Sequence, residues 1–169
     1  MKYKTQKIAY WFWALSMLLL TLQIVYGFIM GFARFGMDGL HDFIPFNTAR
    51  AGHTNLLVVW LLSGFMGAAY YIIPEEAQKE LVKPKLAYLQ LITLALVGVV
   101  AIIGYHFNWW EGRKFLEIPR PLDWLVVINV LTFLGLILVT LVTGKRRTTT
   151  ALVLSMGLLI PAEEAVIWR

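Results

Sequence analysis

Three histidines, His41, His53 and His106, hold all the imidazole of this 169-residue chain, and no cysteine accompanies them. Disulfides, thiolate-bound clusters and cysteine-ligated metals are thereby excluded. His53 opens the apolar run "HTNLLVVWLLSGFMGAAYYII". A histidine in a spanning segment is costly unless it faces a partner, a cavity or a metal. An imidazole is a good ligand for haem iron, and a helix beginning suits it, because packed neighbours fix the ring while a further partner orients its other nitrogen. The competing reading of His53 is a half-solvated residue at the membrane edge. Arg50, three residues earlier, lies about one turn toward the outer surface. Its guanidinium either pairs with a haem propionate or snorkels as a positive flank.

The elements that must carry these residues follow from hydropathy. The chain is 59% hydrophobic with a mean hydropathy of +0.69, well above soluble domains. Apolar runs cover residues 8–32, 53–73, 86–106, 124–143 and 148–161, and about 20 residues suffice to cross the hydrocarbon core. The runs are continuous rather than alternating, so helices are expected instead of a barrel. The first run is too long for the core of a cleaved signal and reads as a retained anchor. The fifth is short, because "IPAEEAVIWR" brings a proline and two carboxylates. The expectation is an all-α, multi-pass transmembrane helical bundle with four full spanning helices and a partial fifth, forming one membrane domain over residues 1–169.

Lysine and arginine set the orientation. Lys2, Lys4, Lys7, Lys79, Lys83, Lys85, Lys145, Arg146 and Arg147 fall on one side of such a bundle, against Arg34, Arg50, Arg113, Lys114 and Arg120 on the other. The positive-inside rule puts the N-terminus in the cytoplasm and all three histidines toward the outer face. These flanks account for the net charge of +5, and membrane lipid rather than nucleic acid is the implied surroundings. Trp109, Trp110 and Trp124 read as interfacial belt residues. Ser63, Gly64, Gly67, Ala68 and Ala69 form a small-residue stretch that lets another helix, or a flat macrocycle, approach closely. Glu75 and Glu76 read as a solvated inner cap. No phosphate-binding glycine loop, H-E-x-x-H pair or nucleophile elbow is present.

"PFNTARAGHTNLLVVWLLSGFMGAAYYIIPEE", then "EL", "PKLAY" and "EGRKFLEIP", strongly resemble the N-terminal part of the large, haem-containing subunit of bacterial nitric-oxide reductase, in the haem-copper oxidase superfamily. The likeness runs from "MKYKTQKIAY" to about residues 157–159, and its PFN-x-AR-x-x-HTNLL-x-VWLL-x-GFMGA block is highly specific. The resemblance implies the N-terminal part of the subunit I fold in the bacterial inner membrane. It makes His53 one axial ligand of the low-spin, electron-transferring haem b, with Arg50 beside it as a propionate partner. The family's GREFLEQP segment, whose acidic residues lie near the propionates and a calcium site, reads "GRKFLEIP" here. Glu117 matches the second acidic position as an outer-loop acidic site, while Lys114 replaces the first. An ammonium has no lone pair to offer calcium, so the substitution argues against that ion and supplies a positive charge in its place.

The resemblance also implies what is missing. The second axial ligand of haem b, the haem b3 histidine, the three histidines of the non-haem iron and the buried active-site glutamates belong to later helices of the family subunit. Three histidines cannot furnish those sites, so the chain alone is expected to be inactive in reducing NO to N2O and to hold half of a haem b site. The expectation is a truncated, frame-shifted or split gene product. Its implied partners are the remainder of the large subunit and a cytochrome c-type subunit or a quinol-linked donor. Two alternatives stand beside this. One is a small b-type membrane cytochrome using His53 and His106; the other is a haemless membrane scaffold. His106 otherwise reads as interfacial and His41 as solvent-exposed.

Overall fold

The computed structural model describes residues 2–33, 35–36, 39, 42–109, 111 and 117–145. Four helices dominate: α1 (Lys7–Ala33), preceded by a 3-10 turn (Lys4–Gln6), α2 (Phe46–Glu76), α3 (Pro84–His106) and α4 (Arg120–Val142). All four are long and apolar enough to cross a membrane, and no strand occurs among the described residues. Their outward faces are apolar: Trp11, Phe28, Phe65, Leu96, Ile128 and Leu131 are exposed. Such surface is expected of helices solvated by lipid, which makes the chain a multi-pass membrane protein. The expected partial fifth helix lies outside the described residues.

Prolines open three of the helices. Pro84 sits in the first turn of α3, Pro45 and Pro119 immediately precede α2 and α4, and Pro121 follows in the first turn of α4. At these positions the missing N–H costs no intrahelical bond. α2 begins seven residues before the apolar run that announced it, so "FNTARAG" is helical and His53 is the eighth residue of α2. The sequence reading placed His53 at a helix start, and the structure corrects this. Hydropathy reports membrane depth, whereas backbone bonds such as Ala49 N–H to the Pro45 carbonyl (3.0 Å) continue past the hydrocarbon. From His53 to Glu76 the helix rises roughly 35 Å, about one membrane core, so His53 stands near the hydrocarbon edge.

Bonds at one end and across the middle tie the helices together. At the end holding the N-terminus, the Glu80 carboxylate accepts from the amides of Lys4 (2.9 Å) and Thr5 (3.0 Å), and the Lys145 amide donates to the Ala77 carbonyl (2.9 Å). Glu75, expected to be solvated, accepts from Gln6 Nε2 at 2.8 Å. Between the ends, buried Gln90 of α3 receives the Tyr70 hydroxyl of α2 and donates to the Asn129 carbonyl of α4 (2.9 Å). Asn129 Nδ2 donates back to the Gln90 carbonyl at 3.1 Å. This polar knot ties three helices in a medium that offers no water to competing donors.

Candidate functional site

The site lies at the other end of the bundle, where α1 and α2 pack along most of their length. His53 Nδ1 is 2.9 Å from the backbone carbonyl oxygen of Gln23 on α1. A carbonyl only accepts, so Nδ1 carries the proton and Nε2 keeps its lone pair. Among the described residues Nε2 has no hydrogen-bond partner.

Glycine makes this contact possible. In a helix the side chain four residues on leans back over a given carbonyl, and for Gln23 that residue is Gly27. A Cβ at Gly27 would stand 2.8 Å from His53 Nδ1 and 2.9 Å from its Cε1. The ring therefore occupies the place of the missing side chain. One residue before His53, Gly52 does the same for Tyr26, whose ring atoms would meet a Cβ at 3.0–3.1 Å. The Tyr26 hydroxyl reaches His106 Nε2 at 3.3 Å, a long contact. His53 is thus held by α1 through a backbone carbonyl, and His106 meets α1 through Tyr26.

The two charged candidates are joined directly. Arg50 Nη2 lies 2.6 Å from Glu117 Oε1 across 67 residues of sequence, with side-chain exposures of 41% and 6%. This is a charge-assisted bond from a half-open guanidinium to a buried carboxylate. Glu117 Oε2 is buried without a hydrogen-bond partner. Two residues before Arg50 on α2, Thr48 donates to the Tyr105 carbonyl (3.3 Å), binding α2 to α3. His41, Arg113 and Lys114 lie outside the described residues, and among those described no group of three or more histidine or acidic side chains gathers as a metal cluster.

Residues 7–162 match the family described as Cytochrome C and Quinol oxidase polypeptide I. The chain belongs to this haem-copper oxidase family. It is 39% identical over 173 aligned residues to a nitric oxide reductase subunit of Stutzerimonas stutzeri, covering 94% of this chain and 36% of that protein. The chain therefore spans about a third of the length of this relative.

Within this haem-copper oxidase chain the small-residue stretch of α2 serves helix packing. A Cβ at Gly67 would stand 2.8 Å from the Trp13 ring and one at Gly64 would stand 3.0 Å from Ser16 Oγ, both on α1. Ser63 Oγ donates to the Phe12 carbonyl and Ser16 Oγ to that of Trp60, each at 2.9 Å. Sequence reading missed Gln23 and Gly27. Gln23 acts through its backbone, which leaves no mark in the sequence, but Gly27 and Gly31 form a G-x-x-x-G pair in α1 that signals close approach.

Proposed function

We propose that this chain provides the N-terminal helices of a nitric-oxide reductase large subunit and that His53 is one axial ligand of its low-spin haem b. The observation that carries the reading is the bond from His53 Nδ1–H to the Gln23 carbonyl. Ligating histidines characteristically donate their second ring N–H to a carbonyl or carboxylate, which fixes the tautomer and raises ligand basicity. The cradle at Gly27 supports the same reading, since it holds the ring against α1 with Nε2 as the remaining donor atom. The residues present fit one side of a haem site. When bound, a haem b would carry single electrons from an external donor toward the centre that reduces NO to N2O.

This chain's own residues then orient and balance charge. His53 gives one ligand nitrogen, while Gln23 and Gly27 keep its ring plane from turning. Arg50 commits Nη2 to Glu117 and keeps further N–H donors for a propionate. Glu117 holds that guanidinium in place from a buried position. Calcium, doubtful in view of Lys114, has no role in this reading. The second axial ligand, haem b3 and the non-haem iron fall to the remainder of the large subunit, and electrons to a cytochrome c-type or quinol-linked donor. The charge asymmetry of the loops supports a cytoplasmic N-terminus in a bacterial inner membrane. The stand-alone cytochrome would require His106 Nε2, which already contacts Tyr26, so the geometry favours the reductase reading.

The test is a reduced-minus-oxidised visible spectrum of membranes carrying this chain together with the remaining part of a nitric-oxide reductase large subunit. Loss of the low-spin b-type band in His53→Ala, with retention in His106→Ala, is the expected result. A band that survives His53→Ala would overturn the assignment.

A further inference from the structure

Besides Glu117 Oε2, two buried polar atoms near the outer end of the bundle lack hydrogen-bond partners, and these two are chemically complementary. Asn55 Oδ1 on α2 can only accept, and the Tyr105 hydroxyl on α3 is a donor without an acceptor. Both residues are at least 97% buried. Asn55 Nδ2 donates to the Ala51 carbonyl at 2.9 Å, which assigns the amide and leaves Oδ1 as the open acceptor. Had the hydroxyl and Oδ1 been within bonding distance, each would have satisfied the other.

Both residues line one small cavity, whose other walls are apolar and include Val97, Gly98, Ala101 and Ile118, with a volume of about 10 Å³. That is the lower limit for a single water and too small for any larger guest. A buried water needs two to four polar partners, and here one donor and one acceptor share an otherwise apolar wall.

We propose that this cavity binds one resident water, which accepts from the Tyr105 hydroxyl and donates to Asn55 Oδ1. The water is a structural joint between α2 and α3, two residues beyond His53 on α2. It fixes the helix that carries the ligand histidine through a contact neither side chain can make alone. The joint depends on no bound haem.

The experiment is proton-detected solid-state NMR of the full 169-residue chain in lipid nanodiscs. The unaltered chain is expected to give cross-peaks from one slowly exchanging water to both the Tyr105 hydroxyl and the Asn55 side chain. In Tyr105→Phe, checked for retained helicity, the Asn55 cross-peak should disappear. A direct bond from Tyr105 to Asn55, or a hydroxyl showing no water contact, would overturn the proposal. The spectrum of the unaltered chain decides the matter even if the variant fails to fold.

Discussion

Replacing Gly27 with alanine should release His53 from α1 while leaving α1 intact. The new Cβ would lie 2.8 and 2.9 Å from two ring atoms, whereas carbon contacts relax at about 3.5–4.0 Å. The ring must therefore move by roughly 0.7–1 Å, which takes the 2.9 Å bond to the Gln23 carbonyl out of the normal range of about 2.7–3.2 Å. Losing such an outer partner weakens metal binding by about 10–100-fold, equivalent to about 1.4–2.8 kcal/mol. Helix formation does not suffer, because alanine is favoured over glycine by about 1 kcal/mol in a helix interior. The assay pairs nitrogen-15 NMR of the His53 ring with a haem titration followed at the Soret band. Gly27→Ala should lose the fixed Nδ1–H signal and bind haem more weakly. Gly31→Ala, where a Cβ meets nothing within 4 Å, should change neither. An unchanged His53 tautomer and unchanged haem affinity in Gly27→Ala would refute the reasoning.

Three further outcomes follow from other contacts. Arg50→Ala strands the 6%-exposed Glu117 carboxylate and should cost about 1–3 kcal/mol, below the figure for a fully buried pair because Arg50 is part-solvated; Glu117→Gln keeps an acceptor and should cost less in the same detergent unfolding assay. Gln90→Leu removes the bonds to Tyr70 and Asn129 and should destabilise by about 1–2 kcal/mol, given about 0.6 kcal/mol per interhelical bond in membranes. For Glu80, burial would raise the carboxyl pKa, but bonds from Thr5 and Lys4 together with the Lys4 charge outweigh it and hold the pKa below its ordinary value. Its stabilisation is therefore present above the ordinary carboxylate range and is lost as pH falls through the lowered folded value. Protection of the Thr5 amide, measured against its intrinsic exchange rate at each pH, should fall across that acidic window in the native chain, and Glu80→Gln should remove this fall.

The helices were legible because lipid imposes a simple rule of length and apolarity, and their boundaries failed only where polar residues stay helical beyond the hydrocarbon, as at residues 46–52. Arg50 and Glu117 were each legible as chemistry-bearing residues, but their pairing was not, since a contact across 67 positions is a property of packing. The hold on His53 was least visible. It rests on a backbone carbonyl, which leaves no mark in the sequence, and on the missing side chain at Gly27, whose G-x-x-x-G spacing with Gly31 signals close approach without naming the ring that fills the space. The Tyr70, Gln90 and Asn129 knot was likewise hidden, because single polar residues in apolar runs reveal partners only in three dimensions.

The central claim is that His53 Nε2 ligates haem iron, and the most direct measurement is chemical rescue. In His53→Gly, carried with the remaining part of a nitric-oxide reductase large subunit, the low-spin b-type spectrum should be lost and should return when free imidazole is added, because the ligand then re-enters the space left by the side chain. A low-spin spectrum that persists in His53→Gly without imidazole would contradict the account.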